Sequence, residues 1–584
     1  MGTSLFGLKP KNTYQALLKT TANTAIDATL RTLSDGLGND TPLQLSLRRV
    51  GVLTDTSVTT QTSAVIEATT VNSSLVLAPN GTGALIAQIP DGTATGGNAR
   101  GTNSIDLQMI RNASSQVSNG QESGILSGGR NSNSGIRSVI SGGFNNTISG
   151  EYANISGGNS NNNSTIFSTI GGGNTNAITN IFATASVISG GASNTISGGG
   201  GAINQTIGGG ASNTTSSAYA TVSGGQSNTA STGTHATVGG GFSNTASGSY
   251  SVVGGGNANL ASGVRGVVVG GQNNSTTAGY TFIGGGNANT NNTDYGTVSG
   301  GVNNVITNIF ATSSVIAGGN NNSVLGGGGD VNQTIGGGRS NTTSAPYATI
   351  GGGQSNTAST NTHATVVGGQ SNTASGLKSV VGGNGNTTSA EASVSFGSGN
   401  IASARFSTAL GLSSRAYLFN QLSVGSVGSS FGFNGGTSQY SFLVASSQGV
   451  LTTGGTSSVT LDGDGGNLII PSGNNRAWNV QVNWVAVVTT ITGTATGISV
   501  GDVITSIDLL AFKRVGGISS ASTHTSTATK TMVTTPAQYA ACAINYTAGA
   551  SQEMALTFTA PTFVGGGSVT MRVVARVELA EVAW

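Results

Sequence analysis

Hydrophobic and polar positions keep a fixed phase over the middle of this chain. Between Val139 and Asn386 an apolar residue is followed by two or three glycines, variable residues and then asparagine. Ile155-Ser-Gly-Gly-Asn-Ser-Asn161, Val222-Ser-Gly-Gly-Gln-Ser-Asn228 and Ile350-Gly-Gly-Gly-Gln-Ser-Asn356 are three copies. The asparagine recurs as Asn146, Asn161, Asn176, Asn194, Asn213, Asn228, Asn244 and Asn259. It continues as Asn274, Asn289, Asn304, Asn322, Asn341, Asn356, Asn372 and Asn386, with Asn204 and Asn332 falling between. Most steps are roughly 14 to 16 residues, too short for the helical repeat families and suited to one turn of a solenoid. Apolar anchors are expected at Ile140, Ile155, Ile170, Val222, Val238, Val253, Val269, Ile283, Val367 and Val381, and in altered form at Phe396, Leu410 and Val424. The Ile, Val and Thr content favours strands. Each coil is expected to supply two short ones, as in Tyr219-Ala-Thr-Val-Ser and the Asn-Thr-Ala-Ser that follows it.

The glycines suit tight corners that need positive φ or close backbone approach. The asparagines, stacked at one position of successive coils, suit a structural ladder in which amides bond along the axis, and asparagine tolerates the left-handed region. A larger duplication lies over the small one. Ile178-Thr-Asn-Ile-Phe-Ala-Thr184 returns as Ile306-Thr-Asn-Ile-Phe-Ala-Thr312, and His235 returns as His363, both offset by 128 residues. Copying a block of coils suits a spacer whose length matters more than any one residue. About 20 coils at the inter-strand spacing of roughly 4.8 Å make a rod on the order of 100 Å.

The flanks differ from the array. Residues 1–52 read as a small N-terminal β module for attachment, 53–125 as a β-rich neck and 126–430 as the shaft. Residues 431–470 read as a connector and 471–584 as a C-terminal β-sandwich of jelly-roll type, the candidate receptor-binding domain. In Val569-Thr-Met-Arg-Val-Val-Ala-Arg-Val-Glu-Leu579 the apolar Val569, Met571, Val573, Ala575, Val577 and Leu579 share one face, opposite Arg572, Arg576 and Glu578. The fold class expected is therefore all-β, a parallel β-solenoid (β-roll) shaft with β-rich ends. One thin coil buries few apolar side chains, which favours a homotrimer.

Composition narrows the chemistry. Charged residues are 7% of the chain, against about 25% in an ordinary globular protein. A hydrophobic fraction of 36% in phase with the glycines argues against disorder, which combines low hydrophobicity with high net charge. A net charge of +2 without a basic cluster argues against nucleic acid. No run of 18 apolar residues is present, so no membrane insertion is expected. Residues 1–9 lack a basic-then-apolar leader, so synthesis in a host cytoplasm without a signal peptide is the expectation. Cys542, the one cysteine, reads as a buried apolar residue. Glycoside hydrolysis needs two carboxylates roughly 5 to 10 Å apart. The acids of residues 130–400 are Glu151, Asp294, Asp330 and Glu391, none in adjacent coils. Asp462 and Asp464 read as a turn, and His235, His363 and His524 have no metal-ligand spacing. No catalytic, cofactor-binding or metal-binding residue is expected, and the chain reads as non-enzymatic. Arg100, Asp106 and Arg111 read as a local ion pair or inter-chain contact, and Trp478, Trp484 and Trp584 as packing residues.

Lys378-Ser-Val-Val-Gly-Gly-Asn-Gly-Asn-Thr-Thr-Ser-Ala390 and Phe406-Ser-Thr-Ala-Leu-Gly-Leu412 resemble the head repeats of trimeric autotransporter adhesins. That resemblance spans about half the chain and implies a left-handed parallel β-roll within a trimer. The flanks resemble phage tail-fibre and virion structural proteins. Gly7-Leu-Lys-Pro-Lys-Asn-Thr-Tyr-Gln-Ala-Leu-Leu-Lys19 carries this, with Thr32-Leu-Ser-Asp-Gly-Leu-Gly-Asn39, Asn98-Ala-Arg-Gly-Thr-Asn-Ser-Ile-Asp-Leu-Gln108 and the C-terminal Arg-Val-Val-Ala-Arg-Val-Glu. The resemblance implies a virion fibre docked through its N-terminus to tail or baseplate proteins. Its distal domain would then meet a host cell-surface polysaccharide or protein receptor. A bacterial adhesin, a polysaccharide-degrading tailspike and a head-decorating fibre are the alternatives.

Overall fold

In each coil, two apolar or small residues alternate with solvated Thr and Ser, and that alternation is what a short strand with one buried face requires. The computed structural model describes short strands within residues 19–52, then residues 82–179, 184–198, 204–307, 312–326, 332–426 and 438–451. It also describes 456–459, 476–494, 499–500, 503–514, 529–532, 543–548, 554–559, 561 and 568–583. The chain divides into two compact units, Met1–Gly81 and Thr82–Trp584. In the first, strands Lys19–Thr20, Arg31–Ser34, Asp40–Leu45 and Val50–Val52 pair in sequence order as an antiparallel sheet.

The second unit is all-β, with no helix among the described residues, and its body is a parallel β-solenoid of about 20 turns. One ladder runs from Leu85–Ile86 through Ile105–Asp106, Gly124–Ile125 and Val139–Ile140 to Leu422–Ser426. The stretch read as a neck thus already contributes rungs from Leu85 onward. The other ladder runs from Ser132–Asn133 to Arg415–Ala416. A third column of single parallel bridges, from Ile110↔Gly129 through Phe144↔Asn159 to Gln354↔Gln370, lies between the two strands of each coil. Most coils therefore have two short strands and one bridge rather than two strands alone. Tyr219 lies outside its strand, which is Thr221–Val222.

The core is thin. In the coil from Val139 to Ala153, Ile140, Asn146, Ile148 and Ala153 are buried. Successive coils stack like on like, so Ile140, Ile155, Ile170 and Ile188 form one buried column. Two expected anchors need correction. Val268 and Val366 are the buried members of that column, while Val269 and Val367 are 51% and 56% exposed. The inward residue lies six positions before the buried asparagine, at Ile140 for Asn146 and Val268 for Asn274. Because side chains alternate faces, a one-residue slip turns the neighbour outward. Phe396, Leu410 and Val424 are also outward. Ser395, Ala409 and Ser423 hold the buried positions, since the coils there shorten by one residue.

After the first two rungs, which step 20 and 19 residues from Leu85 to Ile105 to Gly124, four further coils exceed their neighbours by three or four residues. Thr169–Ile170 pairs with Val187–Ile188 and that strand with Thr206–Ile207, steps of 18 and 19 residues. The copied block repeats both steps from Thr297–Val298 to Val315–Ile316 to Thr334–Ile335. All four excesses fall between a second-ladder strand and the next first-ladder strand, and they include residues outside the described set. The strand pairing is undisturbed by them, so length is absorbed at one corner.

After Ser426 the parallel ladder turns antiparallel. Leu422–Ser426 pairs with Ser438–Leu451, which pairs with Ser568–Ala583, then Arg476–Thr492, Val503–Arg514 and Thr529–Met532. Val482, Trp484, Ala486, Val488, Met571 and Ala575 are buried on one face of these long strands. A second antiparallel sheet comprises Thr456–Val459, Met554–Thr559 and Ala543–Ala548. Cys542, Asp330, Asp462, Asp464, His524 and Trp584 lie outside the described residues, and the side chain of Trp478 does too.

Candidate functional site

The buried asparagines of the array form a mixed backbone and side-chain ladder. Asn161 is typical: its backbone N–H donates to Asn146 Oδ1 at 3.0 Å, and its own Oδ1 accepts from the N–H of Asn176 at 2.9 Å. Its Nδ2 donates to Gly157 O in the same coil and to Gly173 O in the next, both at 3.0 Å. Every hydrogen-bonding group of the amide is thereby matched inside a site with no solvent access, which is the condition for burying a polar side chain without large cost. The left-handed residue of this corner is not the asparagine but the one before it, such as Asn145, Ser160 or Thr175. Gly158, at φ +89°, supplies the close approach: a Cβ there would lie 2.1 Å from Gly173 O.

The ladder extends beyond the residues read from the sequence. Gln108 starts it, accepting from Asn131 N at 2.9 Å, and Asn131 accepts from Asn146 N at 2.9 Å. Asn400 follows Asn386, and Ser414 ends the run by donating its N–H to Asn400 Oδ1 at 2.6 Å. Asn204 and Asn332 are exposed and stand apart from it. The missed members carried a signal, since Asn131 and Asn400 keep the spacing while the flanking glycine pattern is broken.

A second column runs along the opposite corner. One residue per coil takes φ near +55 to +60°, and many are aromatic or basic: Tyr219, His235, Tyr250, Arg265, Tyr280 and Tyr295 occupy six successive coils. Tyr219 and His235 stack at 4.6 Å, His235 and Tyr250 at 4.7 Å, and Tyr280 and Tyr295 at 4.9 Å. The Arg265 guanidinium lies 5.6 Å from the Tyr250 ring and 5.0 Å from that of Tyr280. A left-handed L-residue costs roughly 1–2 kcal/mol, and stacked aromatic pairs return about 0.5–1.5 kcal/mol each. The stacking offsets backbone strain. Within each run the ring faces cover one another and leave edges outward. His235 and His363 are equivalent members, the latter stacked on Tyr347 at 5.0 Å.

Charge is concentrated where the array starts. Asp106 holds the position taken by Ile125 and Ile140 in later coils. Its Oδ2 accepts from Arg100 Nε at 2.8 Å and Arg111 Nη2 at 2.9 Å, all three side chains being sealed from solvent. Arg100 also donates to the carbonyls of Gly96 and Asn98, and Arg111 to that of Gln116 and to Gln88 Oε1. Two cations on one carboxylate, tied to main chain on several sides, make a closed structural clamp. The remaining shaft acids are dispersed: Asp294 accepts from Gly279 N at 2.8 Å, and Glu391 pairs with Arg405 at 2.9 Å. Glu122 pairs with Arg137 at 2.7 Å, and that hydrogen bond holds the Glu122 carboxyl below its ordinary pKa. Among the described residues, no cluster of His, Cys, Asp and Glu could hold a metal ion.

No family model matches the chain. No curated protein matches it either. A solved structure similar to part of it is the tailspike protein of Acinetobacter baumannii phage AM24, at 8% identity, covering 75% of this chain and 78% of that one, with a TM-score of 0.15. A likeness that weak carries no argument about what this chain does.

Proposed function

We propose that this chain is a non-enzymatic structural fibre of a bacteriophage virion, a tail fibre assembled as a homotrimer. The N-terminal segment 1–52 docks to tail or baseplate proteins. The solenoid acts as a spacer, and the C-terminal β-domain meets a host cell-surface polysaccharide or protein. The observation that carries the reading is the shaft itself. From Asn131 to Asn400 successive coils repeat the same sealed amide ladder, and longer coils keep the pairing, so the array specifies pitch and length and little else. The likeness of both flanks to tail-fibre sequences supports the ends. Weak distal contacts would act together by avidity across copies.

Electron microscopy of purified phage particles, labelled with antibody raised against residues 1–52, tests the assignment. Label at the virion, near the tail, is expected. Particles that carry no label while the chain is abundant in the infected cell would overturn it. Incubating the purified chain with host capsule should release no reducing ends, and release would move the reading to a degrading tailspike.

A further inference from the structure

We infer that the three copies meet through one particular face of the shaft, the outer side of the first ladder at its C-terminal end. This rests on the trimer reading above. Along most of the shaft the outward residue of that ladder is small: Ser141, Ser156, Gly171, Ser189, Gly208, Ser223 and Gly239 take the place in successive coils, and Val269 is a mid-shaft exception. From Val367 onward the character changes. The strands lengthen from two residues to five or six, as in Thr365–Gln370, Val394–Ser398 and Thr408–Leu412. Their outward positions become large and apolar except at Gly382, which lies against the Phe396 ring. Phe396, Leu410, Val424 and Tyr440 stand in direct register on four consecutive strands. Val367, Phe396, Leu412, Val424 and Tyr440 are exposed. No charged side chain interrupts the column.

The occupant is argued from pitch and area. The column repeats at the ladder spacing of roughly 4.8 Å. A second copy of this chain presents apolar groups at that same spacing. Rotation about an axis parallel to the shaft keeps every residue at its own height, so Phe396 meets Phe396 and Leu410 meets Leu410 in each copy. Six strands about five residues wide make a face on the order of 450 Å², which bounds its apolar part from above because Thr365, Gln370, Asn384 and Ser398 share it. That matches the largest patches monomers expose, about 300–600 Å², and falls short of the roughly 800 Å² per partner of a stable interface. The rest is supplied by continuation upward and downward. Above, Tyr440 and Val485 stay exposed on the long antiparallel strands, beside the Arg576–Glu578 ion pair on the same face. Below, the serine and glycine face lets another backbone approach closely. The apolar patch is then the lock of the assembly and the small-residue face its track.

The full-length chain is measured by light scattering and by cysteine cross-linking. In a Cys542→Ser background, Val424→Cys is expected to form an inter-chain disulfide on mild oxidation, while Tyr250→Cys at the stacked corner is not. Leu410→Asp combined with Val424→Asp is expected to reduce the particle mass to one third of wild type. Circular dichroism of that variant checks that the strands persist. A wild-type chain that is monomeric overturns the trimer reading and this one together. A wild-type trimer that keeps its mass in the double aspartate variant and does not cross-link through Val424→Cys overturns the contact face alone.

Discussion

Replacing Asn259 by alanine tests the ladder directly. Asn259 is 1% exposed. Its Oδ1 accepts the backbone N–H of Asn274 at 3.0 Å, and its Nδ2 donates to Gly255 O and Gly271 O, each at 2.9 Å. Alanine leaves the Asn274 N–H buried with no acceptor, a cost of about 1–3 kcal/mol, and removes two further bonds of about 1 kcal/mol each. Gly271 O keeps the N–H of Asn257 at 2.9 Å, so it is not orphaned. The sum is about 3–5 kcal/mol, concentrated in one coil because repeat arrays couple chiefly to nearest neighbours. Amide hydrogen exchange is the fitting assay, since a long array need not unfold in one step. Protection of the Asn274 amide and its flanking coils should fall roughly a hundred- to a few thousand-fold, at about 1.4 kcal/mol per decade. Asn257→Ala, in the same coil but exposed, should change protection by less than about threefold. Asn259→Asp keeps the acceptor but turns the donor into an oxygen facing two carbonyls. It should cost at least as much as alanine, with partial recovery on acidification as the carboxyl protonates. Equal, small effects for Asn259→Ala and Asn257→Ala would refute the reasoning.

Three further outcomes are expected. Gly256→Ala, at φ +94° with its Cβ 2.1 Å from Gly271 O, should destabilise by about 3 kcal/mol or more, whereas Gly255→Ser, with its nearest neighbour 4.0 Å away, should be tolerated; paired urea titrations compare them. Asp106→Asn leaves two buried guanidinium groups without their counter-charge and should cost about 3–5 kcal/mol, read as a lower thermal midpoint for the first coils. Glu122 is depressed by the Arg137 hydrogen bond, and Asp91 by bonds from Thr93 and Gly96. A depressed carboxyl contributes stability in full above the unfolded range near pH 4, and loses it as pH falls through the lower folded value. The thermal midpoint should therefore be flat from about pH 6 to 8 and drop only below about pH 4; a slope at neutral pH would contradict this.

Much of the fold was legible because the repeat is short and rigid in phase. A buried amide must be satisfied on all sides, and a neighbour at one coil's distance is the obvious partner. A column such as Asn146, Asn161 and Asn176 therefore announces a solenoid from the sequence alone. The corner column was harder to see. Tyr250, Arg265 and His235 share a left-handed backbone but no residue type, and only their spacing marked them. The clamp at Asp106 was legible as a rare charge, though its place in the apolar column was not.

The sequence by itself determined the coil, its period, the buried asparagines and the all-β class, because each follows from local alternation and from the needs of a polar group out of water. Tertiary structure decided direction. Whether Val268 or Val269 points inward, and whether Phe396 lies in the core or on the surface, depends on counting from the asparagine within a coil that sometimes loses a residue. Side chains in strands alternate faces, so one residue of register separates a core anchor from an exposed contact. Only stacking neighbouring coils fixes that choice.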